Sequence, residues 1–220
     1  MKQLFKDNKA FIIPYISVLL IVSAVLLYFD KVEIHIFINS FHNNFFDIFF
    51  KYWTYLGDGI FSAVFVVLLL FISYRKALIS AVSLILTGLV IQILKHYVYF
   101  GNYRPVMYFK TEYEGNYKLH LIEGTEPANF FSFPSGHTAA AFVIFFLSAI
   151  FVKNKYLKFI FFISAFLVGY SRVYLSWHFV GDTVAGSLTG FIIVLITVSF
   201  ISKNIKSDSS LLKKQQKYTS

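Results

Sequence analysis

Six stretches of this 220-residue chain are apolar over nearly the length needed to cross a bilayer, and no soluble fold accommodates so many. They run from Phe11 to Phe29, Ile60 to Tyr74, Ala77 to Leu94, Ala139 to Val152, Leu157 to Tyr170 and Val180 to Ile201. A spanning helix takes roughly 17 to 25 apolar residues. The second and fourth runs are short by that measure and need extension, by flanking aromatic residues or by the start of the PSGHT segment at 134–138. With 57% hydrophobic and 20% aromatic residues, a domain of this size carries more apolar surface than a soluble core can hide. The expected fold class is therefore all-α, a six-helix transmembrane bundle.

The formal charge is +9, yet the cations sit between the apolar runs instead of pooling on one basic face. They report topology, and nucleic acid is not an expected partner. With the N-terminus assigned to the cytoplasm, thirteen lysines and arginines fall on inner segments and seven on outer ones, as the positive-inside rule requires. Both termini are then cytoplasmic. Lys2, Lys6 and Lys9 precede the first run as in a secretory signal, but that run exceeds an ordinary signal core and YFDKVEIH follows it, without a small-residue cleavage site. It is expected to remain as an anchor. The absence of cysteine excludes disulfides and thiolate metal sites.

No repeat, linker or shift of composition divides residues 1–202, which read as one integral membrane domain. Residues 203–220 are polar and lysine-rich, as in a basic cytoplasmic tail held near anionic lipid. The segment from Asp30 to Asp58 mixes charges with Phe, Tyr and Trp, and is expected to form a helix in the headgroup layer, an aromatic belt with no catalytic part. The polar stretch from Gly101 to Phe133 reads as a lid over the outer face, with Glu112, Glu114, Lys118, His120 and Glu123 on its solvated side. Gly186 and Gly190, four apart in GSLTG, mark close helix packing.

Three segments place polar groups at the ends of apolar runs, where they are costly and mark function. They are KHYVYFGNYRP at 95–105, PSGHT at 134–138 and SRVYLSWHFVGD at 171–182. His178 and Asp182 share a helix face, so the carboxylate can hold one ring nitrogen and leave the other free. That pair reads as a structural contact, as a nucleophile with its orienting acid, or as metal ligands. Charge speaks against metal: Lys95, Arg104 and Arg172 would each repel a divalent ion by on the order of 4 kcal/mol at about 4 Å and an effective dielectric of about 20. The same cations suit a phosphate dianion. In PSGHT, Pro134 suits a first helical turn, and the N–H groups of Ser135, Gly136 and His137 can cradle an anion. His137 would stand beside the bound group, opposite His178, placed to protonate a departing oxygen.

These blocks resemble the type 2 phosphatidic acid phosphatase superfamily, which includes bacterial lipid phosphatases and vanadium haloperoxidases. Its pattern of Pro-Ser-Gly-His matches residues 134–137, and its Ser-Arg, five residues, His, three residues, Asp matches Ser171, Arg172, His178 and Asp182. The first block departs from it. Eight residues separate Lys95 from Arg104 where the family has six, so a bulge keeps Lys95 on the phosphate or Lys95 is displaced. The resemblance spans about Ile60 to Ile201 and implies an active site at the outer ends of helices 3 to 6. It further implies His178 as nucleophile forming a phosphohistidine, Asp182 as its orienting acid and His137 as the acid for the leaving group. Lys95, Arg104, Ser135, Gly136 and Arg172 would bind phosphate, with no metal and no other cofactor.

The implied activity is hydrolysis of a lipid phosphate or pyrophosphate, of undecaprenyl pyrophosphate, phosphatidylglycerophosphate or lipid A type, at the outer face of a bacterial inner membrane. The competing readings are a lipid phosphotransferase using the same site and a non-catalytic lipid-phosphate binding or transport protein.

Overall fold

Four helices are long and apolar enough to cross a bilayer unaided, at Lys9–Tyr28, Tyr74–Val98, Lys155–Tyr174 and Val180–Ile201. A pair of helical segments, Asn44–Gly57 and Gly59–Ile72, bent by 55°, has the length and apolarity of a fifth span only when the two are taken together. The apolar helix Gly136–Phe151 is shorter than a span. The two deficient apolar runs are thus the two irregular elements. The computed structural model describes residues 2–125 and 128–204, with side chains described as far as residue 201. In chain order the helices are α1 (Lys2–Asp7), α2 (Lys9–Tyr28), α3 (Lys31–Ser40), α4 (Asn44–Trp53), α5 (Gly59–Ile72), α6 (Tyr74–Ile93), α7 (Pro105–Thr111), α8 (Gly136–Phe151), α9 (Lys155–Tyr174) and α10 (Val180–Asn204). All regular structure among the described residues is helical. Most of the tail expected at 203–220 lies outside them.

The segment from Asp30 to Asp58 is not the single headgroup helix expected. Three capping side chains divide it. Asp30 accepts from the Val32 amide at 2.7 Å in a capping box with Glu33, Asn43 accepts from Phe46 at 2.9 Å, and Asp58 accepts from Phe61 at 2.7 Å. Each cap satisfies the free amides of a new helix start. α4 passes through a 3-10 turn, Thr54–Gly57, into α5.

α8 is short because it is central. Its buried face carries Ala139, Ala141, Phe142, Val143, Ile144, Phe146, Leu147 and Ala149. α9 and α10 flank it, and α2 seals the outside with Phe11 and Tyr15. Phe11 stacks at 4.9 Å on Phe146, which lies 4.7 Å from Phe191, and Tyr15 lies 4.8 Å from that same ring. Such pairs add roughly 0.5–1.5 kcal/mol each beyond the area they bury. At one end of the bundle, Lys158 donates to the Asp7 carbonyl and the Asn8 side chain, both at 2.7 Å, tying the N-terminus to the start of α9.

Glycines set the helix spacing around α8. A Cβ at Gly186 would press on the Ser135 carbonyl, one at Gly190 on the Ala139 carbonyl, and one at Gly57 on the His137 carbonyl. The GSLTG stripe is therefore a packing device, as expected, and it draws α10 against the first turn of α8. Gly190→Val should lower the thermal midpoint in detergent, by an amount equivalent to about 1–3 kcal/mol of overpacking. An unchanged midpoint would show that this contact is not tight.

Candidate active site

α9 ends on Arg172 and α10 begins just before Asp182, so the residues between them form a tight corner. The Trp177 and His178 amides both donate to the Arg172 carbonyl, at 2.9 and 3.1 Å. Ser176, fully buried, sits at φ 55° in the left-handed region, which a serine adopts only where its surroundings hold it. Asp182 then closes the corner. Its Oδ2 accepts from Ser132 Oγ at 2.5 Å and from the Phe179 amide at 3.0 Å, and lies 3.3 Å from His178 Nδ1. Its carbonyl accepts from the Ser135 amide at 3.0 Å. With Nδ1 on the carboxylate, His178 presents Nε2 as an unprotonated ring nitrogen.

That backbone contact corrects the cradle expected from PSGHT. The Ser135 N–H is committed to the Asp182 carbonyl, which removes it from the three amides expected to cradle an anion. Ser135 instead caps α8: its Oγ accepts from the Thr138 amide at 3.4 Å and from Thr138 Oγ1 at 2.9 Å, leaving its own hydroxyl hydrogen uncommitted. A Cβ on Gly136 would meet only Ile91, at an ordinary 3.6 Å, so no protein contact demands that glycine.

All three cations converge here. Arg172 is 2% exposed, donates Nη1 to Thr54 Oγ1 at 2.7 Å and lies 4.0 Å over the Trp177 ring. Its buried Nε has no partner. Arg104 is anchored by its backbone amide to Asn129 and by Nε to the Phe130 carbonyl at 3.1 Å. Lys95 is buried and lies within electrostatic range of Arg104, Arg172 and Asp182. The spacer that follows Lys95 begins with an irregular turn. Residues Leu94–Val98 form a π-helical turn closed by Tyr99 N–H to Leu94 O at 2.8 Å, which widens the turn and keeps Lys95 inward. His137 shares the same field, in range of Arg172, His178, Lys95 and Arg104, with its ring 6.4 Å from Trp177.

Charge is unbalanced as a result. Among the described residues the ion pairs are His178 with Asp182 and His120 with Asp47, and neither involves Lys95, Arg104 or Arg172. Three cations face one carboxylate. Burial, reinforced by Arg172, Arg104 and Lys95, holds His178 well below the ordinary histidine range. Burial also lowers Arg104, with Asp182 opposing.

Several residues of this end carry no sequence signal. Thr54 and Ser132 each hold one site side chain. From α3, His35 Nε2 meets Ser176 Oγ at 3.1 Å, and Asn39 Nδ2 donates to the same oxygen at 3.3 Å. Asn39 Oδ1 accepts from the His120 amide and the Tyr117 hydroxyl. The 30–58 segment is therefore more than a belt, since it clamps the corner that bears His178. His120, expected on a solvated face, packs at 3.9 Å on His42 and meets Asp47 at 3.0 Å, whereas Glu112, Glu114, Lys118 and Glu123 are exposed as expected.

Among the described residues, an all-helical bundle with membrane-length apolar helices thus carries two imidazoles, one carboxylate and three cations without an ion-pair partner at one end. The model of the PAP2 superfamily matches residues 76–206, and the chain belongs to that superfamily. It is 37% identical over 82 residues to phosphatidylglycerophosphatase B of Bacillus subtilis (strain 168), covering 33% of this chain. The match spans 40% of the length of that relative. The crystal structure of Aquifex aeolicus LpxE superposes with a TM-score of 0.66 at 28% identity, over 76% of this chain and 94% of that one. That of a transmembrane PAP2 type phosphatidylglycerolphosphate phosphatase from Bacillus subtilis gives 0.60 at 22% identity, over 88% and 97%, a likeness of fold.

Inorganic phosphate at a hundred times its dissociation constant should stabilise the protein by about 2.7 kcal/mol against thermal unfolding. Thr54→Val, which removes the partner of Arg172 Nη1, should raise the dissociation constant for phosphate about fivefold and so lower that protection by about 1 kcal/mol at the same phosphate concentration. Equal protection of both proteins would separate Arg172 from anion binding.

Proposed function

We propose that the chain is a metal-independent phosphatase that hydrolyses a lipid phosphate or pyrophosphate through a phosphohistidine. The observation that carries this reading is Arg172, a buried guanidinium with no carboxylate partner and an unpaired Nε, one turn from an imidazole oriented by Asp182. A buried charge left unpaired is strongly destabilising, so the site is built for an anion that arrives from outside.

In this mechanism Lys95, Arg104, Arg172, the Ser135 hydroxyl and the amides of Gly136 and His137 hold the phosphoryl oxygens and neutralise the charge that spreads over them in transfer. His178 Nε2 attacks phosphorus while Asp182 Oδ2 stabilises the cationic ring through Nδ1. The bond from phosphorus to the bridging oxygen breaks, its electron pair goes to that oxygen, and His137 supplies the proton. The bound phosphate brings the negative charge that lets His137 hold that proton among three cations. Water then attacks the phosphohistidine with His137 taking its proton, which frees inorganic phosphate and restores both imidazoles.

The site lies at the end of the bundle away from the Lys158 contact with the N-terminus. Combined with the lysine distribution, this supports a site on the outer face of a bacterial inner membrane with the N-terminus cytoplasmic. The relatives named as phosphatidylglycerophosphate phosphatases suggest phosphatidylglycerophosphate as substrate, with lipid A type lipids and undecaprenyl pyrophosphate the other two expected from the sequence.

Purified protein in detergent with EDTA should release phosphate from one or more of a panel of such lipids. His178→Ala should reduce release by about 10³-fold or more, and acid-labile, alkali-stable phosphate should appear on wild type only. Full activity in that variant sinks the mechanism, and product that appears only with an added acceptor alcohol would mark a transferase. The depressed His178 also sets a pH limit: its neutral form persists as pH falls through about 6.5, the ordinary histidine value. The acid limb of kcat/KM, measured with a substrate of known second pKa, should therefore show no histidine-like ionisation near 6.5. A cysteine at exposed Asn116 should react with an impermeant thiol reagent in intact spheroplasts if the loop is external.

A further inference from the structure

α3 turns one face toward the corner that bears His178. Lys31, His35 and Asn39 follow one another at four-residue spacing, so their side chains lie along that face. His35 and Asn39 hold Ser176, and the His35 ring meets Phe179 edge-on at 5.3 Å. Lys31, one turn before His35, sets its ammonium 4.6 Å from the centre of the Tyr108 ring and 5.2 Å from that of Phe179. The two rings stand perpendicular to each other, 5.7 Å apart. Phe179 directly follows His178, and the Tyr108 amide donates to the Arg104 carbonyl at 2.9 Å. Lys31 therefore rests on the two segments that carry the imidazole and one of the arginines.

Nothing in the fold accounts for a cation at this place. Lys31 takes part in no ion pair among the described residues. The carboxylates nearest to it in sequence are spent on the capping box, Asp30 on the Val32 amide and Glu33 on the Asp30 amide. As the first residue of α3 it also sits at the positive end of the helix dipole, where a cation is opposed. Lys51, by contrast, serves as a strap, donating to the Glu123 carbonyl at 3.1 Å. The aromatic seat of Lys31 contributes a modest attraction at an exposed position, and its larger effect is to confine a side chain with many rotamers to one region. An ammonium that is exposed, unpaired and already held in place is suited to an anion from outside.

The range of its charge separates this ammonium from the phosphoryl pocket. The cations that act on His178 and His137 are Lys95, Arg104 and Arg172, and Lys31 is not among them. Those three already face the phosphoryl group to be transferred. We propose that Lys31, seated on Tyr108 and Phe179, binds a second phosphate of the substrate, joined to the scissile phosphoryl through a short polar spacer, and is a specificity-determining residue for lipids that carry both. A pyrophosphate keeps both phosphorus atoms on one bridging oxygen, within the pocket, whereas a phosphomonoester set beyond a phosphodiester extends out of it toward Lys31. This inference rests on the phosphatase reading above.

The test compares dioleoyl phosphatidylglycerophosphate with dioleoyl phosphatidic acid in mixed micelles. Both present a phosphomonoester on the same acyl chains, and the first adds a phosphodiester. Lys31→Met keeps the apolar stem over the rings and removes the charge. It should lower the ratio of kcat/KM for the first lipid to that for the second about 5- to 10-fold, the size of a lost charged hydrogen bond. The change should fall on KM, because this contact is made before and during transfer alike. Lys31→Arg should restore most of the ratio, and added NaCl should erode it in wild type but not in Lys31→Met. An unchanged ratio in Lys31→Met overturns the inference. If the thermal midpoint of that variant falls, Tyr108→Leu, which removes the seat and keeps the lysine, decides by the same ratio. Wild-type protein that hydrolyses phosphatidic acid alone overturns the inference and leaves the phosphatase reading standing, whereas protein inert toward every lipid of the panel overturns both.

Discussion

Asp182 is the residue on which this end of the protein depends. Through one carboxylate oxygen and one carbonyl it takes bonds from Ser132 in the loop before α8, from the Phe179 amide in the corner, from the Ser135 amide at the start of α8, and it faces the His178 ring. Two chain segments, 132–135 and 178–182, some 50 positions apart, are registered to each other by a residue 6% exposed. In low dielectric these charge-assisted bonds are strong, and leaving any member unpaired is costly. The cluster is thus assembled as a unit or not at all.

Around this anchor the protein holds an uncompensated positive charge. Keeping Lys95, Arg104 and Arg172 together without counter-ions opposes folding, and the bundle offsets that cost elsewhere. The ring cluster of Phe11, Phe142, Phe146 and Phe191 supplies apolar burial, and Gly57, Gly186 and Gly190 let two backbones, the Thr54–Gly57 turn and α10, approach the start of α8 closely enough to fix where His137 stands. Rigidity below the site and unsatisfied charge within it are the two conditions of a preorganised anion pocket, in which donors need not reorient when the ligand arrives.

Much of this was legible in the sequence. The apolar runs located the long helices, four of them of membrane-spanning length, and the spacing of His178 and Asp182 placed ring and carboxylate on one another. PSGHT announced a helix start, and GSLTG a close helix contact. Other features were not. The Ser135 amide looked free for an anion, because nothing local shows that the Asp182 carbonyl, from another helix, takes it. Thr54, Ser132, His35 and Asn39 are ordinary polar residues in segments that read as belt or loop, and their partners lie from 50 to 141 positions away. The two additional residues after Lys95 gave no sign of the π-turn at Leu94–Val98 in which Lys95 is buried.

The division follows from the range of the forces involved. Hydropathy, charge asymmetry and i to i+4 spacing act along the chain, so the sequence by itself determined a helical membrane protein, its spans, and a set of residues fit for phosphate chemistry. Which amides are spent and which cation is left without a partner depend on contacts between helices. Those contacts arise only once glycines and aromatic rings have packed the bundle, and the tertiary structure alone decides them.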